Sequence, residues 1–320
     1  MQTPYIRDEY LFEFGRTDGS SEIDFNKWWT TLISLAFSFT PCAEGDYSPR
    51  LFWRGQSSCW QLTPGVHRSL RDTAQWGRGQ RRFTDSSIGD EVKTLVNRAR
   101  GLGVGPDYLT STTDLQLLAF LQHQGAATPL IDFTSDLLTA LAMACFDSTS
   151  HQNDGLLFCY KYTPCNANWV PPFTDVDAGA MFERLTGTSS SQVMLYSPPY
   201  LTARQRIQRG VFFFSAIDHD NPCSSMRIPF IRADEAHDRH LSRGHDGEEL
   251  SGMPIRSGEC LAVKVPSSFK PRLREWLRIQ HQLEEDYVYP EPVSLDAHRE
   301  FIRAASAHSL IHGHRLPSWG

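Results

Sequence analysis

The sequence predicts an α+β domain, and the order of its predicted elements carries that prediction. Helices come first and then lie between strands, without the regular strand–helix alternation of a doubly wound parallel sheet. A hydrophobic fraction of 40% over 320 residues is ordinary for a globular protein with a substantial core. The length would allow one large domain or two of ordinary size, and we expect one.

Apolar spacing and flanking residues predict the individual elements. FNKWWTTLISLAFSF has the broad apolar face of a helix, and Thr113 to Gln116 form a capping box before a second helix that Gly125 ends. Ser135 is predicted as the N-cap of a third helix, DLLTALAMACF. Two further helices are expected in 267–283 and 296–310, and strands in 51–56, 128–134, 155–162, 211–217 and 259–265.

Composition excludes several classes of protein. The net charge of -6 argues against a protein that coats nucleic acid, although a local basic groove remains compatible with it. No basic and apolar leader opens the sequence, and no apolar run approaches the roughly 20 residues that span a bilayer. The seven cysteines are odd in number and form no CxxC pair. We therefore expect a cytoplasmic protein without a membrane partner.

Arg54 stands inside the apolar stretch LFWRGQ, where an always-charged guanidinium needs a partner. In one interpretation Arg54 presents its fork to a phosphate or carboxylate, while Gly55 lets that ligand approach the backbone. In the other, Arg54 forms a structural ion pair with an acid at the edge of the core. The local pattern leaves both open.

A second polar cluster lies in LQHQGAATPLIDFTSD. Strand alternation places Asp132 and Thr134 on one face, and Thr134 and Ser135 lie where a strand meets a helix N-terminus that attracts anions. Asp132 is then a candidate base or ribose-hydroxyl acceptor, or alternatively a cap of the same helix. His123 is either a polar ligand contact or a favourable charge at a helix C-terminus.

A third cluster, Gln208 and Gly210, precedes the aromatic strand VFFFSAI. The Gln208 amide can orient a substrate, but it cannot take up a proton at neutral pH. P-loop, GxGxxG, GxSxG and HExxH motifs are absent, which removes support for the common ATPase, dehydrogenase, hydrolase and zincin classes.

Two further groups have weaker spacing. The histidines 237, 240 and 245, near Asp234 and Asp238, match no metal signature, so we expect an exposed loop over 233–252 and no metal. The stretch 67–83 contains arginines 68, 71, 78, 81 and 82 with Trp76 and Phe83. It is predicted as a mobile lid, with a grip on a nucleic-acid backbone as the alternative.

Taken together, these clusters resemble the FRG domain family, named for its Phe/Tyr-Arg-Gly motif. FWRGQSSCWQLTPGVHRS is similar to its opening signature, and QHQG at 122–125 and TPLIDFT at 128–134 are similar to its central motifs. Later elements match at Arg204, Gln208, Gly210 and Phe212, and at YPE in 289–291. Pro129 departs from the family's usual arginine. The resemblance covers 25–305, with insertions near 163–200 and 218–258, an N-terminal extension 1–24 and a tail 306–320.

The order of these motifs is also similar to that of ADP-ribosyltransferases. That resemblance implies a split, largely antiparallel sheet flanked by helices, with NAD as substrate. Arg54 would hold a phosphate or ribose, Thr134 and Ser135 would orient the ribose, and Gln208 would lie near the place of the catalytic glutamate. Asp132 would then supply electrostatic support. The implied catalytic residues are Arg54, Asp132, Thr134 and Gln208, and the implied NAD contacts are Arg54, Gly55, Gln56, Arg68, His123, Thr134, Ser135 and Gly210.

Three functional hypotheses follow. The first is an ADP-ribosyltransferase or NAD glycohydrolase that acts as a bacterial toxin or phage-defence effector, with a protein or nucleic-acid acceptor and an antitoxin or defence-system partner. The second is a non-catalytic module that senses a nucleotide or a phage component. The third is a metal-dependent nuclease that uses the arginines of 67–83 and the histidines of 237–245.

Overall fold

The strands of the protein form one mixed sheet. The computed structural model describes residues 4–14, 23–37, 50–76, 84–105, 112–146, 152–163, 167–172, 177–184, 193–199, 203–241 and 254–288. Within them the strands are β1 (Leu11–Phe12), β2 (Arg50–Gln56), β3 (Ile131–Thr134), β4 (Gly155–Tyr162), β5 (Ala167–Val170), β6 (Val193–Tyr196), β7 (Gly210–Phe214) and β8 (Cys260–Val265). Their order in the sheet is β1-β8-β4-β2-β3-β7-β6-β5.

Most neighbouring strands run antiparallel. Only the outer pairs, β1 with β8 and β5 with β6, are parallel. The expected largely antiparallel sheet is therefore confirmed. The expected split is not observed, because the described strands pair continuously from β1 to β5. The β2–β3 ladder is nevertheless a single residue pair, Trp53 opposite Thr134.

Ten helices of the described residues flank this sheet. They are α1 (Phe25–Ala36), α2 (Gly65–Trp76), α3 (Asp85–Gly101), α4 (Asp114–His123), α5 (Leu137–Cys145), α6 (Ala178–Arg184), α7 (Ala203–Gln208), α8 (Ala233–Leu241), α9 (Lys270–His281) and α10 (Glu285–Val288). No described helix is long and apolar enough to cross a membrane.

Local capping explains where the helices next to the site begin and end. The capping box before α4 is confirmed, since the Thr113 side chain accepts from the Gln116 backbone and the Gln116 side chain accepts from the Thr113 backbone. Gly125, at φ +94°, follows the end of α4 in a conformation that glycine adopts without strain. The prediction of Ser135 as N-cap of α5 was wrong by one residue, because the Asp136 carboxylate accepts from the Leu138 backbone.

The core consists of three clusters that meet at the sheet. On one face, α1, α5, α9 and α10 pack over β2, β4 and β8, while α2, α3, α4 and α6 pack against β7. On the other face, Phe52, Phe133 and Phe213 pack with Leu62 and the 223–228 segment. The two helical groups adjoin over the β2–β3 junction, which is where the polar motif residues lie.

Two segments predicted as loops contain helices. α2 covers 65–76, so the first half of the predicted lid is helical, while residues 77–83 lie outside the described residues. α8 occupies the first part of the predicted loop 233–252. The predicted helix 296–310 and the YPE turn also fall outside the described residues.

The described cysteines are all buried free thiols: Cys59, Cys145, Cys159, Cys223 and Cys260. Burial raises the pKa of Cys59 to about 11 and that of Cys145 to about 12. These thiols therefore stay protonated and serve as small apolar core groups.

Candidate functional site

The site lies where β2 and β3 part. Trp53 and Thr134 form the one pair between the two strands, and the rest of β2, up to Gln56, pairs with β4 alone. Gly55 packs directly under α5, since a Cβ there would lie 1.9 Å from the Ala140 carbonyl oxygen. The motif glycine is therefore required by the approach of α5 to the strand.

Arg54 bridges the interval between the diverging strands. Its Nη1 donates a 2.7 Å hydrogen bond to the Asp132 carbonyl oxygen and lies 3.9 Å from Asp132 Oδ2. The two side chains remain 23% and 21% exposed. Arg54 thus has the structural partner that one interpretation required, and the pair is still open to a ligand.

The Asp132 carboxylate is held from the end of α4. Gln122 Nε2 donates to Asp132 Oδ2 at 3.2 Å, and Thr128 donates to Gln122 Oε1 at 2.5 Å. Thr128 is fully buried, so this chain fixes the orientation of both amide and carboxylate. None of the described residues donates a hydrogen bond to the buried Asp132 Oδ1.

His123 is buried beside this carboxylate. The side chain is 2% exposed, and its ring meets the ring of Phe212 edge to face at a centroid distance of 5.1 Å. Burial lowers the pKa of His123 to about 4, with the Asp132 charge opposing that shift and Arg204 adding to it. His123 is therefore neutral at pH 7, and the predicted favourable charge at the helix C-terminus is corrected.

Arg204 binds the same helix end. Its Nη1 donates to the His123 carbonyl oxygen at 3.0 Å, so α7 is tied to the last turn of α4. Arg54, Asp132 and His123 thus form one cluster with Gln122 and Arg204. The sequence motifs that contain these five residues come together at one place in the fold.

Thr134 and Gln208, two predicted catalytic residues, do not point into this cluster. Thr134 is 1% exposed, and its hydroxyl accepts from the Asp136 backbone at 2.9 Å, in the turn before α5. Gln208 is 2% exposed and donates to the Val288 carbonyl oxygen at 2.8 Å, on α10. Thr134 thus stabilises a turn and Gln208 joins two helices, and their catalytic roles stay predictions.

The remaining predicted NAD contacts lie in different parts of the structure. Gln56 donates to the Trp60 carbonyl oxygen at 2.8 Å and so closes the turn after β2. Arg68 and Ser135 are exposed, on α2 and before α5 respectively. Gly210 lies opposite Thr134 in the sheet, and a Cβ there would be 3.4 Å from His123 Nε2. Gly55 is covered by α5 on the side where a Cβ would lie, and its contact with a ligand stays a prediction.

The histidines 237 and 240 and one cavity are separate from this cluster. Among the residues that the structure describes, no group of three His, Cys, Asp or Glu side chains lies close enough to hold a metal ion. His237 and His240 belong to α8, whereas His245 is outside the described ranges. A cavity of about 390 Å³ opens elsewhere, lined by Tyr10, Asp218, Arg227, Phe230 and their neighbours, none of which belongs to the predicted site.

The comparison with known families agrees with the position of the cluster. Residues 49–153 match the family model of the FRG domain. These residues, called the FRG segment from here on, are similar to FRG domains. No curated protein and no solved structure matches the chain. The FRG match contains Arg54, Gln122, His123, Thr128 and Asp132, whereas Arg204 and Gln208 lie outside it.

Sequence reasoning missed two residues of the FRG segment that hold the site. Gln122 and Thr128 lie in the quoted motifs QHQG and TPLIDFT, yet neither was selected as a site residue. The Gln122 amide can neither gain nor lose a proton at neutral pH, so a search for acid and base groups does not find it. The signal was the motif itself. Gln122 ends an apolar helix and Thr128 follows it closely, and polar groups next to a core need hydrogen-bond partners.

Proposed function

We propose that the FRG segment binds a nucleotide, with NAD as the ligand, at the Arg54–Asp132 pair. The observation that carries this proposal is the juxtaposition of a guanidinium and a carboxylate, each about one-fifth exposed, where β2 and β3 diverge. A guanidinium fork suits a phosphate, and a carboxylate oxygen accepts from ribose hydroxyls. NAD offers both groups in one molecule.

The proposed reaction is cleavage of the bond between nicotinamide and ribose, as in an ADP-ribosyltransferase or NAD glycohydrolase. Asp132 supplies the negative charge that stabilises the oxocarbenium-like transition state. Gln122 holds one carboxylate oxygen at 3.2 Å, which fixes the direction of the other. This preorganisation supports Asp132 as the catalytic carboxylate in place of Gln208.

Release of nicotinamide from NAD tests the proposal. Wild type should bind NAD and release nicotinamide, and Asp132→Asn should retain binding while its rate falls at least 100-fold. Asp114→Asn is the matched control, because Asp114 also pairs with an arginine, at 2.7 Å, but in another part of the chain. Equal rates for wild type and Asp132→Asn would reject the catalytic role.

A second candidate is a non-catalytic nucleotide-sensing module. It is favoured by Gln208 on α7, which is an amide where a catalytic glutamate would be expected and which donates to the Val288 carbonyl oxygen. Tight NAD binding by wild type with no release of nicotinamide would select this candidate.

The biological role proposed is that of a toxin or phage-defence effector, because loss of NAD stops cell growth. Induced expression of the wild-type chain should arrest growth and lower cellular NAD, and Asp132→Asn should do neither. An antitoxin or defence-system partner would be the component that relieves this arrest when it is co-expressed.

A further inference from the structure

Three buried polar atoms without a hydrogen-bond partner belong to His123 and Asp132. Neither ring nitrogen of His123, nor Oδ1 of Asp132, has a hydrogen-bond partner in the described part of the chain. These atoms are buried, and the whole His123 residue is 2% exposed. Buried polar groups in folded proteins are nearly always paired, often with a bound water or a ligand.

The packing brings the two residues close together. Asp132 lies opposite Phe212 in the β3–β7 ladder, and the Phe212 ring carries the His123 imidazole on its edge. Gln122, the residue before His123, holds the other oxygen of the Asp132 carboxylate. Gly210 leaves the Nε2 edge of the imidazole open, since a side chain would begin 3.4 Å from that nitrogen.

The two groups offer complementary hydrogen bonds. A neutral imidazole has one N–H donor and one acceptor nitrogen, whereas a carboxylate oxygen only accepts. Burial keeps His123 neutral by lowering its pKa to about 4. Water suits both groups chemically, because it can donate to Asp132 Oδ1 and accept from the His123 N–H at the same time. An anion placed between the His123 ring and Asp132 Oδ1 would be repelled by the carboxylate.

We propose that His123 and Asp132 hold the water molecule that accepts the ADP-ribosyl group, which makes the chain an NAD glycohydrolase. This inference rests on the proposed function. The bond from ribose C1′ to the nicotinamide nitrogen breaks, and its electron pair leaves with nicotinamide. The water oxygen bonds to C1′, and one water proton passes to Asp132 and then to solvent. The products are ADP-ribose, nicotinamide and one proton.

The test adds methanol as a competing acceptor and measures the ratio of the two products, ADP-ribose from water and methyl ADP-riboside from methanol. Wild type should form ADP-ribose and nicotinamide in equal amounts, with little methyl ADP-riboside, since the bound water is already in place. His123→Phe keeps an aromatic ring against Phe212 but loses both nitrogens. The variant should bind NAD with an affinity within about threefold of wild type, and its rate of nicotinamide release should fall at least 30-fold. Its products should shift from ADP-ribose towards methyl ADP-riboside.

His123→Gln is the second variant, and it restores a donor and an acceptor. It should regain part of the rate and most of the preference for water, which a purely structural role of His123 would not produce. His67→Gln is the control, because His67 is also buried but is bound to Ser225 at 2.8 Å, in another part of the fold. It should retain the wild-type rate and product division.

Three outcomes overturn the inference in distinguishable ways. If wild type releases nicotinamide but yields labelled protein or nucleic acid in place of ADP-ribose, the acceptor is not water and the proposed function still stands. If His123→Phe and His123→Gln keep both rate and product division, His123 does not hold the water. If wild type neither binds nor cleaves NAD, the proposed function fails and this inference fails with it.

Discussion

Arg54 on β2 donates a hydrogen bond of 2.7 Å to the carbonyl oxygen of Asp132 on β3, at the point where the ladder between the two strands ends. The side chain of one strand thereby replaces the backbone donors that the other strand has lost. The same arginine brings its charge to 3.9 Å from the Asp132 carboxylate. Structural support and the proposed ligand binding are thus combined in one residue.

Replacing Arg54 by Met should destabilise the fold. A carbonyl oxygen and a partly buried carboxylate both lose a cationic donor, and such losses cost about 1–3 kcal/mol. Arg100→Met is the matched control. Arg100 also donates to a carbonyl oxygen and a carboxylate, on Thr112 and Asp114, but its side chain is 46% exposed, so about 1 kcal/mol or less is expected. Urea denaturation measures both, and equal losses would contradict the bridging role of Arg54.

Gly55→Ala should be among the most destabilising single changes in the FRG segment. The added methyl would lie 1.9 Å from the Ala140 carbonyl oxygen and 2.7 Å from the Ala144 nitrogen, so α5 must move away from β2. Overpacking of this kind costs about 1–3 kcal/mol or more. Gly101→Ala at the end of α3 meets nothing within 4 Å and should leave the urea midpoint unchanged or slightly raised. If Gly55→Ala is as stable as wild type, α5 does not pack directly against Gly55.

Gln208→Glu should lower stability and create no activity. The Gln208 amide donates to the Val288 carbonyl oxygen, and a buried carboxylate there would face that oxygen without a donor. A loss of about 2 kcal/mol or more is expected from such an uncompensated group. Gln208→Met removes the hydrogen bond without adding charge and should cost less. If Gln208→Glu releases nicotinamide faster than wild type, this prediction is wrong and position 208 takes part in catalysis.

The stability of the protein should fall as the pH drops below 6.5. His67 is fully buried against Ser225, and burial lowers its pKa to about 3, with the charges of Arg71 and His219 acting in the same direction. Between these values the unfolded chain binds a proton that the folded chain does not. Each such histidine therefore removes about 1.4 kcal/mol per pH unit from the free energy of unfolding.

Urea midpoints of wild type and His67→Gln between pH 4 and 7 measure this effect. The variant should show a shallower decline, by about 1.4 kcal/mol per pH unit, because it has lost one titrating group. Parallel curves for the two proteins would mean that His67 is protonated in the folded state.

Local signals were sufficient for most of the elements around the site. The capping box before α4, the glycine that follows it and the apolar run of β4 depend on residues close in sequence, and all three predictions are confirmed. The helix α2 was missed because its arginine-rich sequence is typical of an exposed loop. Its buried residues Val66, His67 and Leu70 pack against segments that are distant in sequence. Sequence periodicity does not reveal such contacts.

The site itself was predictable only in part. The FRG motifs identified Arg54, His123 and Asp132, which lie together. The motifs do not reveal which way a side chain turns, so Thr134 and Gln208 were assigned to the ligand although a turn and α10 hold them. The role of Gly55 was missed because it depends on α5, whose first residue follows that glycine by 82 positions.

Calorimetric titration with NAD tests the central claim most directly, using wild type, Arg54→Met and the control Arg100→Met. Wild type and Arg100→Met should bind NAD with the same affinity, and Arg54→Met should bind at least tenfold more weakly, while circular dichroism shows that all three are folded. If wild type binds no NAD, or if folded Arg54→Met binds it as tightly as wild type, the Arg54–Asp132 pair is not a nucleotide site.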